Sequence, residues 1–387
     1  MAVQGVPAWR RACRKFTMPG LLMCCAVITA APASARTSST ADRLLAPIGV
    51  HSMLYVNTPP TATQTMFKEA AAIGASEIRL DVELSGVFAN PHSPPDWSGV
   101  DEYMSLARQY HLRVLADLTA TPWYMADCPP VAPPGSPSWI CPPNDPGLWG
   151  REAGEIAAHT RGVINDFEII NEPDGKWAFL GTPQQYATVL ASAYDAIHAS
   201  NPRARVALGG LMNIGAGGVA WMNAVLATPG ADARHKFDIA NIHIRTPNPA
   251  DTGPVVRSWR RYFRHAGFRG PLWVTETGYP ASPAFQTQPG YQNGASAQAR
   301  WMTTAFEAML RAGAAMVFAT ERDSLTGAYA SEGVLHSTDP LTANPIYARR
   351  PSFYAIRTLA HHKWHKRHRA RASCHLALHS ARHGTHH

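Results

Sequence analysis

The chain has 387 residues, 45% of them hydrophobic, enough for a barrel of about 250 residues with additions and a large core. Its formal net charge of +8 sits at the two ends: Arg10, Arg11, Arg14 and Lys15 near the start, and Lys363, Lys366, Arg367, Arg369, Arg371 and Arg382 after His361, with no acid in either segment. The body between them is slightly acidic, which excludes nucleic acid as the partner the total suggests. No run reaches the roughly 18 apolar residues that a membrane-spanning helix needs, which argues against stable membrane insertion.

Residues 1–35 have the pattern of a cleaved export signal. A basic start precedes the apolar stretch Leu21 to Ala31, too short to span a bilayer, and Ala33-Ser34-Ala35 is a small-residue cleavage site. The expectation is a secreted or periplasmic protein whose folded part is residues 36–360. Residues 361–387, rich in His and Arg, form a low-complexity tail, expected to be disordered.

Eight apolar runs read as strands: Ile48–Val56, Glu77–Leu84, Leu112–Leu118, Val163–Ile170, Arg205–Leu211, Phe237–Ile244, Leu272–Thr275 and Ala314–Ala319. Helical patterns alternate with them. Tyr186, Val189, Leu190, Ala193, Tyr194 and Ile197 make one buried face, as do Trp301, Ala305, Ala308 and Met309. Gly74, Gly267 and Gly313 stand where helix C-caps belong. Eight β–α units predict a (β/α)8 TIM barrel. A doubly wound open sheet is the alternative, but Tyr55 to Pro60 after the first strand is not its Gly-rich phosphate loop.

In a barrel, chemistry gathers at the C-terminal strand ends. In the second strand Ile78, Leu80, Val82 and Leu84 share one face and Arg79, Asp81 and Glu83 the other, so a charged row points inward. The third strand runs into Thr121-Pro122-Trp123-Tyr124, where an exposed Trp-Tyr pair suits the apolar face of a sugar ring. The Pro-rich loop that follows carries Cys128 and Cys141. These pair plausibly in an oxidising compartment, and closing so short a loop contributes about 2–3 kcal/mol.

The fourth strand ends in Asn171-Glu172-Pro173. Proline stops the strand there, leaving Asn171 and Glu172 at its tip. Gly215-Ala216-Gly217-Gly218, after the fifth strand, lacks the lysine of a phosphate loop and reads as a turn. The sixth strand puts Asn241, His243 and Arg245 on one face. The seventh ends in Thr275-Glu276-Thr277-Gly278-Tyr279-Pro280, a second Glu at a strand tip. After the eighth, Arg322 is expected to pair locally with Glu321 and Asp323. Two strand-tip carboxylates suit acid/base and nucleophilic work on a glycosidic bond. The body shows no metal-ligand cluster of the His-Glu-x-x-His kind, and no cofactor or metal is expected.

This set resembles the glycoside hydrolases of clan A, and within it families 39 and 5. Asn171-Glu172-Pro173 is similar to the acid/base signature, Thr275-Glu276-Thr277-Gly278 to the nucleophile signature, Ile78-Arg79-Leu80-Asp81 to the second-strand arginine motif, and Thr121-Pro122-Trp123 to third-strand motifs of family 39. The resemblance covers about residues 45–360. It implies a carbohydrate substrate, with Glu172 as general acid/base and Glu276 as nucleophile held ionised by Arg79. Asn171 would donate to the sugar 2-hydroxyl, Trp123 and Trp177 would stack on sugars, His243 would bond a carboxylate or hydroxyl, and Tyr279 would bond near the nucleophile. The resemblance implies carboxyl groups about 5–5.5 Å apart. Two departures bear on the sugar: Ala319-Thr320-Glu321 replaces an eighth-strand Trp, and His243-Ile244-Arg245 replaces a His-x-Tyr. A non-catalytic carbohydrate-binding barrel and a transglycosylase are the alternatives.

Overall fold

In the computed structural model the described residues are 47–130, 135, 137–282, 290–291, 294–324, 330–337 and 347–362. The export signal expected at residues 1–35, and the expected tail beyond residue 362, lie outside them. The strands are β1 Ile48–His51, β2 Glu77–Glu83, β3 Arg113–Thr119, β4 Asp166–Ile169, β5 Arg205–Leu208, β6 Ala240–Ile244, β7 Leu272–Thr277 and β8 Met316–Thr320. All pair in parallel in the order β5-β4-β3-β2-β1-β8-β7-β6. Between β5 and β6 the ring closes through the bridges Ala207–Ile239 and Leu211–Ile242, the backbone bond Leu208 N to Ile239 O at 3.0 Å, and the Asn241 side chain, whose Nδ2 donates to Leu208 O at 3.1 Å. The fold is the (β/α)8 TIM barrel, not the open sheet.

All eight strands fall inside or beside their expected runs, but several end early. β1 stops at His51 rather than Val56, and Met53 has φ 48°. β5 stops at Leu208, where Gly209-Gly210 follows. Val163 and Ile164 precede β4 instead of belonging to it.

The main helices are α1 Pro60–Ile73, α2 Leu84–Val87, α3 Ser98–Tyr110, α4 Pro146–His159, α5 Pro183–Ser200, α6 Ala216–Leu226, α7 Thr252–His265, α8 Ala295–Ala312 and α9 Pro351–His361. Their starts are written in the sequence: α1, α4, α5 and α9 carry Pro in the first turn, where no N–H is lost. Thr182 and Gln185 form a reciprocal capping box on α5. Gly74 and Gly313 close α1 and α8 in the left-handed conformation, and Gly267 lies one residue past the Ala266 cap of α7 with φ 95°. The segment from Gly215 to Gly218, read as a turn, is instead the N-cap and first residues of α6. A Cβ on Gly218 would lie 1.6 Å from Asn213 O, so glycine lets the helix start close to that strand end.

Alternation along the strands fills the lumen in layers. At the bottom Glu77 and Asp166 meet Arg113 and Arg205. Above lies an apolar layer of Leu115, Ala207, Ile239, Trp273, Met316 and Phe318. Gly49 completes it: a Cβ there would fall 2.5 Å from the Phe318 ring. The third layer, at the C-terminal end, is charged and holds Arg79, Asp117, Glu168 and Glu276. The helices pack on the outer strand faces through Ile78, Leu80, Val82, Val114, Phe167 and Val206.

Candidate active site

Both strand-tip glutamates reach the lumen through breaks in regular geometry. β4 ends with Ile170 at φ 61° and Glu172 at φ 41°. A β-branched residue in that region is a genuine outlier, and such strain gathers where a chain must aim a side chain. In β7 the register against β6 slips by one: Ile242 faces Val274, but His243 faces Glu276. Without this bulge Trp273, Thr275 and Thr277 would point inward and Glu276 outward. With it Thr275 and Glu276 both reach the site.

Glu276 is 5% exposed. Its Oε1 accepts from Arg79 Nη1 at 3.0 Å, with His51 Nδ1 at 3.4 Å. Its Oε2 accepts from Arg245 Nη2 at 2.8 Å, with His243 Nδ1 at 3.6 Å. Burial works to raise its pKa and is outweighed by the neighbouring side chains His243, His51, Arg245 and Arg79, which hold it well below 4.5. The two guanidiniums are the permanent charges of that field, because burial drives His51 well below 6.5.

Arg79 is fully buried, and each of its three nitrogens has a partner. It donates from Nε and Nη2 to Glu168 at 2.8 and 3.0 Å, from Nη2 to Asp117 at 3.1 Å and Asn171 Oδ1 at 2.8 Å, and from Nη1 to Glu276. Glu168 is itself fixed by Gly210 N at 2.9 Å. Burial pushes Asp81 up to about 6 and Asp117 well above its usual range.

Glu172 is 4% exposed, and its Oε1 lies 2.7 Å from His243 Nδ1 and 3.5 Å from Arg245 Nη1. A cation and a second carboxylate thus both stand beside this buried carboxyl. His243 Nε2 is 3.0 Å from Thr275 Oγ1, which in turn touches both Asn241 Nδ2 at 2.8 Å and Asn241 Oδ1 at 3.0 Å. A carboxylate oxygen of Glu172, one of Glu276 and a His243 nitrogen all fall within 4.8 Å of one another. Such a trio has the donors for a metal ion. The Arg245 guanidinium already lies against both carboxylates, and a cation would have to displace it.

The structure therefore joins Arg79, Asn171, Glu172, His243 and Glu276 in one site. Trp123 and Trp177 stand on the loops after β3 and β4, 64% and 60% exposed. The Trp123 Nε1 is tied to Ala89 O at 2.9 Å. Cys128 and Cys141 are joined in a disulfide. Trp139, two residues before Cys141, is a further exposed ring at 56%. Tyr279 is 3% exposed, in an aromatic cluster with Tyr291 and Trp301 at 5.1 and 5.4 Å.

The expected Arg322 pairing is also corrected. Arg322 donates to the carbonyls of Ser52, Met53 and Asp323, while the Asp323 carboxylate takes Arg350 at 2.5 and 2.8 Å. Glu321 accepts from the Ser52 hydroxyl, and burial raises it to about 8.

Sequence reasoning missed His51, Asp117, Glu168 and Glu332. Strand alternation offered a signal for the first three, which share parity with Gly49, Leu115 and Asp166. Glu332 sits in a loop after β8, where no periodicity points to it.

No protein-family model matches the sequence, and no curated protein sequence matches it. Solved structures do match in fold. A monomeric beta-xylosidase from Caulobacter crescentus CB15 superposes with a TM-score of 0.61 at 17% identity, over 82% of this chain and 68% of that one. A family 39 glycoside hydrolase from the gut symbiont Bacteroides cellulosilyticus WH2 gives 0.58 at 16% identity, and the match spans 81% of this chain but only 63% of that longer one. GH5_18 from Streptomyces cattleya, solved with GlcNAc, gives 0.56 at 15% identity over 81% and 80%. The chain thus has the barrel fold shared by glycoside hydrolases of families 39 and 5, as its strand-tip motifs led one to expect.

Proposed function

We propose that the protein is a retaining glycoside hydrolase that cleaves O-glycosidic, β-configured linkages of an oligo- or polysaccharide in two displacements. One observation carries this reading: carboxylates at the tips of β4 and β7 approach within 4.8 Å. For one oxygen of each carboxylate, that is nearer the about 5–5.5 Å of retaining enzymes than the about 6.5–9.5 Å at which inverting enzymes fit a water. Fold neighbours that include a beta-xylosidase and a family 39 glycoside hydrolase support it.

In this reading Glu276, held as a carboxylate by two guanidiniums, attacks the anomeric carbon. Glu172 gives its proton to the leaving oxygen, then takes one from the water that releases the sugar. The Thr275 hydroxyl can donate to Asn241 Oδ1 or to His243 Nε2. In the first case His243 carries its proton on Nε2 and Nδ1 accepts from protonated Glu172; in the second Nδ1–H donates to ionised Glu172. His243 thus accompanies Glu172 through both protonation states. Asn171 spends Oδ1 on Arg79, leaving its NH2 group for the sugar 2-hydroxyl. Trp123 and Trp177 supply stacking surfaces, and no cofactor is needed. An export signal at residues 1–35 fits a substrate met outside the cytoplasm.

The test is hydrolysis of a panel of β-linked polysaccharides and aryl β-glycosides, with the anomer of the first-formed product read by NMR. Retention is expected. Glu276→Ala should lower turnover by about 10⁴-fold or more, and azide should restore part of it with an inverted glycosyl azide. Inversion by the unaltered protein overturns the role assignment. Binding without hydrolysis on every substrate favours a carbohydrate-binding barrel. Transfer to an added acceptor in preference to water favours a transglycosylase.

A further inference from the structure

Glu276 meets two guanidiniums, and only one belongs to the charged row of β2. The second, Arg245, directly follows β6 and is gripped by Glu332 from the segment after β8. Its Nε donates to Glu332 Oε2 at 3.0 Å and its Nη2 to Glu332 Oε1 at 2.7 Å, while the same Nη2 reaches Glu276 Oε2 at 2.8 Å. Nη1 lies 3.5 Å from Glu172 Oε1. A guanidinium is planar, so two anchors on one edge fix where its remaining N–H groups point.

Glu332 is built for this grip. It is 4% exposed, its Oε1 also accepts from Thr320 Oγ1 at 3.0 Å, and its backbone carbonyl is held by Gln298 Nε2 at 3.1 Å. It lies against Gly278, where any Cβ would fall 2.7–2.8 Å from the Glu332 side chain. The glycine two residues after the nucleophile is thus the space that admits the clamp.

We propose that Arg245, oriented by Glu332, is a positioning residue that holds Oε2 of Glu276 and favours the return of Glu276 to its carboxylate form in the second displacement. This rests on the retaining reading above. In that step the bond between a Glu276 oxygen and the anomeric carbon breaks, its electron pair stays on Glu276, and water forms the new bond as its proton passes to Glu172. While the ester exists Glu276 carries no charge, and Arg79 and Arg245 face each other across it without their shared anion. Departure of the carboxylate restores that anion between them. The cations therefore favour the second step and, by engaging the lone pairs of Glu276, slow the first.

The groups facing Glu276 are His51 from β1, Arg79 from β2, Glu172 from the β4 tip, and His243 and Arg245 on and just after β6. Of the two guanidiniums, Arg245 is the one whose removal leaves the buried β2–β3–β4 network whole. The double variant Arg245→Met with Glu332→Met removes the pair without changing net charge. On an aryl β-glycoside with a good leaving group, kcat should fall by about 10–100-fold with KM falling alongside, because the glycosyl-enzyme accumulates. A burst of phenol close to one per protein should appear, and the acidic limb of kcat/KM should move to higher pH. Arg245→Lys, which keeps the charge but not the fork, should recover part of kcat.

Wild-type kinetics and an unmoved acidic limb in the double variant overturn the proposal, as does a loss of kcat with KM unchanged and no burst. Carbon-13 NMR titration of the labelled Glu276 carboxyl, assigned with Glu276→Gln, is read in parallel and needs no substrate. An upward shift of its midpoint in the double variant is expected, and an unchanged midpoint sinks the proposal. If the unaltered protein hydrolyses nothing, the hydrolase reading fails on its own while the titration still decides whether Arg245 holds Glu276.

Discussion

A carboxylate buried as deeply as Glu276 would ordinarily take up a proton; here two guanidiniums reverse that outcome. The sign follows directly. A pKa held below 4.5 means that its ion pairs contribute stability above that value and lose it as pH falls through the lowered one. If Glu276 is the nucleophile as proposed, it should stay ionised, and activity persist, on the acid side of pH 4.5. Beside it, Thr275 is the residue whose single hydroxyl serves two acceptors. Thr275→Val keeps the shape and removes that choice. Turnover should drop by about tenfold or more on substrates with poor leaving groups and less on activated ones, while thermal unfolding shifts by about 1 kcal/mol or so in stability. An equal loss on both substrate types would show that Thr275 only supports packing.

Strands set the stage through small irregularities. The charged row of β2 was legible because Arg79, Asp81 and Glu83 alternate with apolar residues, and the Asn-Glu-Pro tip because proline forbids continuation. The β7 bulge was not, since one extra residue in a run of apolar neighbours leaves the hydropathy pattern unchanged. Nor were the left-handed residues Ile170 and Glu172, because nothing in their chemistry favours φ above zero. The pairing of Arg245 with Glu332 escaped for a third reason: it joins residues 87 positions apart. The Gly209-Gly210 pair shows how tightly these elements abut. A methyl on Gly210 would stand 2.0 Å from His243 Nε2, and one on Gly209 1.9 Å from Ile170 O. Gly210→Ala should therefore displace His243 and cost activity by about 10²-fold or more with the barrel still folded, as circular dichroism and turnover measured together will show. Undiminished activity would mean that His243 has room to yield.

Across the whole barrel, burial has pushed several carboxyl groups the opposite way from Glu276. Glu77 and Glu321 are raised to about 8, Glu83 to about 7 and Asp81 to about 6, in each case first by desolvation. The folded chain keeps protons there that the unfolded chain, with ordinary values of 4.5 and 3.8, has released. Stability should thus fall as pH rises from about 5 to 8, and fall again in acid as Glu276 is neutralised. A thermal midpoint higher at pH 5 than at pH 8 is the expected result, and the reverse order would show that those carboxyl groups are charged in the folded chain.

The join between β5 and β6 has a consequence of its own. Every other neighbouring pair in the ring is knitted by a strand ladder, interrupted only where β7 bulges, whereas this one depends on a few isolated stitches and the amide of Asn241. Divided there, the chain falls into an amino-terminal half that carries Glu172 and a carboxy-terminal half that carries Glu276, neither holding both carboxyl groups of the proposed site. The weakest line in the wall runs between the two halves of the chemistry, so any loosening of the cylinder would silence it before the protein came apart.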